Sequence, residues 1–402
     1  MTRNHLFRIA VRKFPAFETA IAAQWVAFER EAQTGLTLEA IPLDLHPLES
    51  SLFAEGGMKN GTWDVCFIAT DWIAAMHAAG AAVELPTTLE PGAWPDSLLR
   101  LQRIGSAVLG TPYHDGPECL IYRKDLFESP ENRARYEALH GKPLAPPTTW
   151  QDFHQIARFF NSPAQNLYGS VFAAYPDGHN SVYDFLLQLW TRGGELFDVH
   201  GKLHFQTAAA RDALTFYRTI LADPTAVHPQ CKSYDSVRAG LAFARGEAAM
   251  MVNWFGFATM AHAAPDSAVR NLVDIADIPG DPSVSLNVYW ILSIAAGSPH
   301  KLIAQRFLVH CLTPAMDKLT TTSGAIGCRK STWADPEINT AIPFYHRMES
   351  LHAVAREIPQ RPDWPQIAVA IDSLANAAIT TSTPIESLLE AAQQSTKSGP
   401  HS

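Results

Sequence analysis

The N-terminal part of the chain alternates short apolar runs with amphipathic stretches, and that alternation limits it to a parallel or mixed sheet covered by helices. Phe7-Arg8-Ile9-Ala10-Val11 reads as a strand. The stretch from Phe17 to Glu31 then places Ile21, Trp25 and Phe28 on one helical face, and Gly35 stops it. Leu36 to Leu43 gives a strand, Pro47 to Ala54 a short helix, Asp64 to Ala69 (DVCFIA) a near-continuous apolar strand, and Asp71 to Ala79 a further helix.

A second pattern predicts more than one lobe. In GTPYHDGPECLIYRKDLF (Gly110 to Phe127) a strand ends in a short polar stretch and re-enters as an apolar strand. PPTTWQDFHQIARFF (Pro146 to Phe160) then opens a helix behind a proline pair, with Thr149 as its cap. At 402 residues the chain exceeds the size at which one core usually stops growing. An apolar fraction of 47% against 18% charged supplies the material for large cores.

Downstream, a polar loop from Pro176 to Ser181, with His179 in it, feeds an apolar helix ended by Gly193-Gly194. Ala208 to Leu221 is helical, and a helix from Val237 gives way to the strand AAMMVNW. The aromatic cluster Asn253-Trp254-Phe255-Gly256-Phe257 marks a second crossing between lobes, and Thr320 to Gly327, after the helix of Lys301 to Leu312, a third. From Pro343 to Ala392 the pattern is helical, broken by Pro359, Pro362 and Pro365. Trp25, Trp190 and Tyr217 lie on apolar helical faces and read as core.

The formal charge of -9 is spread without a basic cluster, which argues against nucleic acid as a partner. Five cysteines (Cys66, Cys119, Cys231, Cys311, Cys328) lack ligand spacing and read as buried or free thiols. There is no phosphate loop, dinucleotide fingerprint, nucleophile elbow or metal motif, so no cofactor and no metal is expected. No stretch has the form of a signal peptide or a membrane span.

Ligands of such sheets gather at the carboxyl ends of the strands. Two loops there stand out: Arg12-Lys13-Phe14-Pro15 and Ala69-Thr70-Asp71-Trp72. Read alone, Asp71 is as good a helix cap as a ligand group, and Trp72 as good a core residue.

Several stretches carry a family resemblance, in order. They are WDVCFIATDW and AAVELP, GTPY and LIYRKDLF, PPTTWQDF, YG with GGELFD, FARGEAAMMVNW, ADIPG with YWILSIAAGSPHKLIAQRFLVHCLT, and SGAIGCRKS, within Leu6 to Asn376. The chain resembles the extracellular solute-binding proteins of ABC importers, in the group similar to maltodextrin-binding protein. The resemblance implies a type II periplasmic-binding-protein-like α/β fold. Its two lobes, each a mixed sheet flanked by helices, are joined by three hinge segments and close on a ligand. Residues 1–114 and 257–318 would form the N-terminal lobe, and 115–256 with 319–402 the C-terminal lobe.

The resemblance also implies a ligand set. Asp71 matches a carboxylate that binds sugar hydroxyls, with Trp72 beside it, and Arg12 and Lys13 lie in a loop lining the cleft. Trp254, with Asn253, and Trp364 fall where relatives place stacking aromatics. Tyr113, His114, Asp115 and Glu118 lie along the first hinge, His179 in the polar loop, and Asn287 and Trp290 on a strand near the second. Such a protein would be a monomer outside the cytoplasmic membrane, delivering a sugar or oligosaccharide to an inner-membrane ABC permease, and no enzyme. A pyranose suits these residues, because its C–H face packs on indole while its hydroxyls take charge-assisted hydrogen bonds. The alternatives are an enzyme on the same fold with Cys119 as nucleophile, as in thiaminase-like relatives, or a cytoplasmic binding module without a transporter. A polyol or an anionic sugar phosphate, drawn by Arg12 and Lys13, is a further possibility for the ligand.

Overall fold

The structure, a computed structural model, describes residues 5–86 and 89–395. The strands of its two main sheets are β1 (Leu6–Arg12), β2 (Thr37–Leu43), β3 (Val65–Ala69), β4 (Thr111–His114), β5 (Glu118–Arg123), β6 (Tyr168–Ser170), β7 (Ala248–Trp254), β8 (Val273–Ala276) and β9 (Trp290–Ile294). Helices α1 (Pro15–Ala32), α2 (Trp150–Phe160), α3 (Asn180–Trp190), α4 (Ala208–Leu221), α5 (Phe255–Ala263), α6 (Lys301–Cys311), α7 (Pro314–Thr322) and α8 (Trp364–Thr380) matter below.

The chain divides into two compact units. The first comprises the segment ending at Pro117, Asn287–Ala353 and Glu357–Trp364. Its sheet runs β2-β1-β3-β9-β4. The first three strands are mutually parallel, whereas β9 enters antiparallel between β3 and β4. Every residue of β3 is buried, as its continuous apolar run predicts. Helix α1 starts at Pro15, where the missing N–H costs nothing, and buries Phe17, Ile21, Trp25 and Phe28. Trp25 stacks on Phe7 with ring centroids 4.6 Å apart and meets Phe307 of α6 edge-on at 5.3 Å.

The second unit comprises Glu118–Leu286, Val354–Arg356 and the segment from Pro365 onward. Its sheet runs β8-β5-β7-β6, antiparallel except for the β6–β7 pair. Thr149 caps α2 as predicted, its hydroxyl accepting the Asp152 N–H at 3.1 Å. Helix α2 lies so close to β6 that a Cβ on Gly169 would run into the backbone of Ala157. Trp190 and Tyr217 are buried, as their helical faces imply.

The chain leaves and re-enters the units elsewhere than its aromatic and glycine clusters suggest. It passes from the first unit to the second after Pro117, near the expected place. It does not return at Trp254 to Phe257: α5 follows β7 directly, and β8 then joins the free edge of β5, so the second unit continues to Leu286. Nor does it cross at Thr320 to Gly327. The buried Asp317 carboxylate accepts the Cys328 and Arg329 N–H groups and the Thr332 hydroxyl, tying this stretch to α7 within the first unit. Residues 257–286 thus belong to the second unit and 319–353 to the first, in place of the boundaries at 257 and 319.

Candidate ligand-binding residues

In the first unit, one end of the sheet collects the candidates. The parallel strands β1 and β3 finish at Arg12 and Ala69, and Trp290 opens β9 opposite both Ala69 and His114. Thr70–Trp72 forms a single 3₁₀ turn locked to the neighbouring strand, with the Thr70 N–H donating to the Tyr289 carbonyl at 3.1 Å. Asp71 lies inside this turn and is 8% exposed. Trp72 meets Trp290 edge-on at 5.8 Å and Phe53 at 6.0 Å. Trp290 is half-buried and leans on Phe17 at 6.4 Å, and Phe17 in turn meets His114 at 4.6 Å.

His114 has a defined protonation state. Its Nδ1 accepts the Ile326 N–H at 2.9 Å, so the ring proton of the neutral imidazole sits on Nε2. Burial pushes its pKa down to about 4, against the opposing pull of Asp115. At neutral pH it is an uncharged donor.

Other candidates of this unit take different roles. Arg12 and Lys13 share Asp44 at 3.5 and 3.3 Å, one carboxylate against two cations. Tyr113 is buried and donates its hydroxyl to Gln24 Oε1 at 3.0 Å. Asp115 bonds His352 Nε2 at 2.5 Å, and His352 Nδ1 meets the Ser97 hydroxyl at 2.9 Å, a buried chain with Trp333 stacked on the imidazole at 5.0 Å. Trp364 is 2% exposed at the head of α8. Asn287 is fully buried, and neither atom of its amide finds a partner among the described residues.

In the second unit, Glu118 starts β5 directly opposite Trp254, the last residue of β7. Its backbone carbonyl accepts the Ser285 hydroxyl at 2.6 Å. Its side chain is buried, and Oε2 has no partner among the described residues. Trp254 is half-buried and meets Tyr183 of α3 edge-on at 5.6 Å, with His179 6.0 Å beyond Tyr183. The Asp177 carboxylate accepts the His179 and Asn180 N–H groups and so fixes the head of α3. Asn253 is spent on structure, donating to the Ser236 carbonyl at 3.1 Å and accepting its neighbour's N–H.

Sequence reasoning missed Asp184, which acts on Glu118 from α3. Burial pushes the Asp184 carboxyl up to about 7, with the Asp177 charge adding to this and a bond from the Tyr217 hydroxyl at 2.9 Å opposing it. Burial and the Asp184 charge raise the Glu118 carboxyl well above the usual range. Cys119 sits in mid-sheet, fully buried and opposite Asn253, and all five cysteines are buried thiols.

The profile of bacterial extracellular solute-binding proteins matches residues 25–343, most of the chain. The chain belongs to this family. Among its relatives the solute-binding protein is similar to a Pseudomonas aeruginosa protein named mannitol-binding protein, 24% identical over 393 residues, covering 91% of this chain and 87% of that one. Among solved structures it matches the maltose-bound MalE3 of T. maritima with a TM-score of 0.85 and 21% identity, over 97% of this chain and 98% of that one. It matches equally an ABC transporter solute-binding protein from Agrobacterium radiobacter in complex with ribitol, with a TM-score of 0.84 and 23% identity over 98% of both chains. The α/β solute-binding fold expected from the sequence is therefore the fold of this protein. No described helix is long and apolar enough to cross a membrane.

Proposed function

We propose that the protein captures a sugar or sugar alcohol outside the cytoplasmic membrane and delivers it to an ABC permease. The observation that carries this reading is the same pairing in both units. At a sheet end, a half-buried indole and a buried carboxyl come from neighbouring strands or the turn that follows: Trp290 faces Ala69, two residues before Asp71, in the first, and Trp254 faces Glu118 in the second. An indole face covers C–H groups, and a carboxyl binds hydroxyls. The names of two relatives, a mannitol-binding protein and a ribitol complex, favour a sugar alcohol, and the maltose complex keeps a sugar within the class.

Capture would proceed by closure of the two units, as the family resemblance implies, and the monomer would present the closed form to its permease. The protein acts as a receptor without catalysis: Cys119, the one nucleophile proposed from sequence, has no exposed surface. Asp44 offsets only one of the two charges of Arg12 and Lys13, so an anionic ligand stays an outcome of the test. A thermal-shift screen against D-mannitol, ribitol, maltose and sugar phosphates tests the reading. A rise in melting temperature with a neutral sugar or polyol is expected, because the ligand binds the folded state. Stabilisation by sugar phosphates alone would overturn it.

A further inference from the structure

We propose that Glu118, shut in opposite Trp254 with one carboxyl oxygen unpartnered among the described residues, is a neutral acid that donates its O–H to a ligand hydroxyl, so that the second unit selects uncharged polyols and binds them in a proton-linked manner. The inference rests on the reading of the protein as a sugar or polyol receptor. It extends that reading to the charge of the ligand and the pH dependence of its capture.

The geometry leaves Glu118 few options. Its backbone is fixed by pairing with Trp254 and by the Ser285 hydroxyl on its carbonyl. Its side chain is 5% exposed and keeps one oxygen without a partner among the described residues. A buried carboxylate in that state is costly unless it is paired or takes up a proton. The groups that act on it supply no cation. From α3 comes Asp184, which itself faces Tyr217 of α4 and Asp177 of the turn before α3. Strand β7 brings the uncharged Trp254 and Asn253, and β8 ends at Ala276 opposite Leu120, with Asp277 just beyond. Burial opposes ionisation of Glu118, and the Asp184 charge opposes it further.

The chemistry follows. A carboxylic acid donates through its O–H and accepts through its carbonyl oxygen, which complements a hydroxyl. An anionic ligand finds no cation among the groups that act on Glu118. Raising the pH removes the donor and adds a second negative charge, so affinity for a neutral polyol falls.

Infrared difference spectra between the wild type and Glu118→Gln test the proton directly, without ligand. At about pH 7 a protonated-acid carbonyl band belonging to Glu118 is expected, disappearing at higher pH and at a lower pH in Asp184→Asn than in the wild type. An absent band, or a midpoint unmoved by Asp184→Asn, overturns the proposal. Calorimetry with D-mannitol tests the consequence. Wild-type affinity should fall at least about tenfold from roughly pH 6 to pH 9, while Glu118→Gln, whose amide donates at any pH, changes less than about threefold. Equal falls in both proteins, or tighter binding of D-mannitol 1-phosphate than of D-mannitol, overturn it. An intact acid band with no binding of D-mannitol, ribitol or maltose would support the neutral state of Glu118 and overturn the receptor reading instead.

Discussion

His114 accepts the backbone N–H of Ile326 through Nδ1, and this one bond fixes both the tautomer and the charge of a side chain packed against Phe17. The unfolded chain has an ordinary histidine near pH 6.5, whereas the folded one titrates at about 4. Between those values the unfolded state holds more protons, so stability is lost as the pH falls from 6.5 towards 4. Allowing for partial exposure, the loss should be about 2 kcal/mol, and His114→Gln should abolish it. Denaturant melts across that range check this.

Asp184 has the opposite sign. Its folded pKa of about 7 lies above the unfolded value of 3.8, so the folded state holds more protons between them and stability falls as the pH rises. The two slopes oppose each other over nearly the same window. Asp184→Asn should therefore expose a steeper gain of stability with rising pH than the wild type shows, by about 2 kcal/mol or more between pH 4 and 7. The same melts read it.

Trp254→Ala and Asp71→Ala should each weaken ligand binding by roughly 1 to 3 kcal/mol, through a lost stacking face and lost charge-assisted bonds. Titration calorimetry with whichever ligand the thermal-shift screen identifies is the measurement. Unchanged affinity in both variants would remove these residues from the site.

Trp25→Ala should instead act on stability, costing about 3 to 5 kcal/mol by leaving a cavity against Phe7 and Phe307. Urea titration of the variant, with ligand affinity measured on the folded fraction, separates the two kinds of tryptophan. A loss of affinity without a loss of stability would contradict the core assignment.

The thiols should resist alkylation. Burial raises Cys66, Cys311 and Cys328 well above the ordinary thiol range and Cys231 to about 12, and Cys119 is fully buried. Iodoacetamide should leave all five unmodified in the native protein and label them after denaturation. Rapid labelling of Cys119 in the folded state would revive a nucleophile.

Local structure was largely legible because local rules decide it. The apolar stripe of α1, the Thr149 cap and the bounds of α4 follow from periodicity and capping chemistry. The crossings were not, because a glycine or aromatic cluster marks a turn without saying which sheet edge the next strand will join. Asp71 and Trp72 stand out in the sequence by their place after a strand, whereas Trp290 enters only through the family resemblance; the structure sets all three at one end of the first sheet. Tyr113, Asn253 and Trp364 are likewise polar or aromatic yet are committed to interior bonds or burial. Asp184 is not legible because a lone acid in an apolar helix reads as a surface residue, and only the fold brings its charge to bear on Glu118.

Strand β9 lies between β3 and β4, yet it is made long after both. During synthesis the sheet of the second unit, complete at Ala276, has all its strands while that of the first still lacks the strand separating two of its members. The unit that begins the chain should thus be the later to mature. Its early strands must wait, unpaired on one side, for a partner that arrives only with Trp290 to Ile294, and this order leaves an unfinished chain on which a chaperone has time to act.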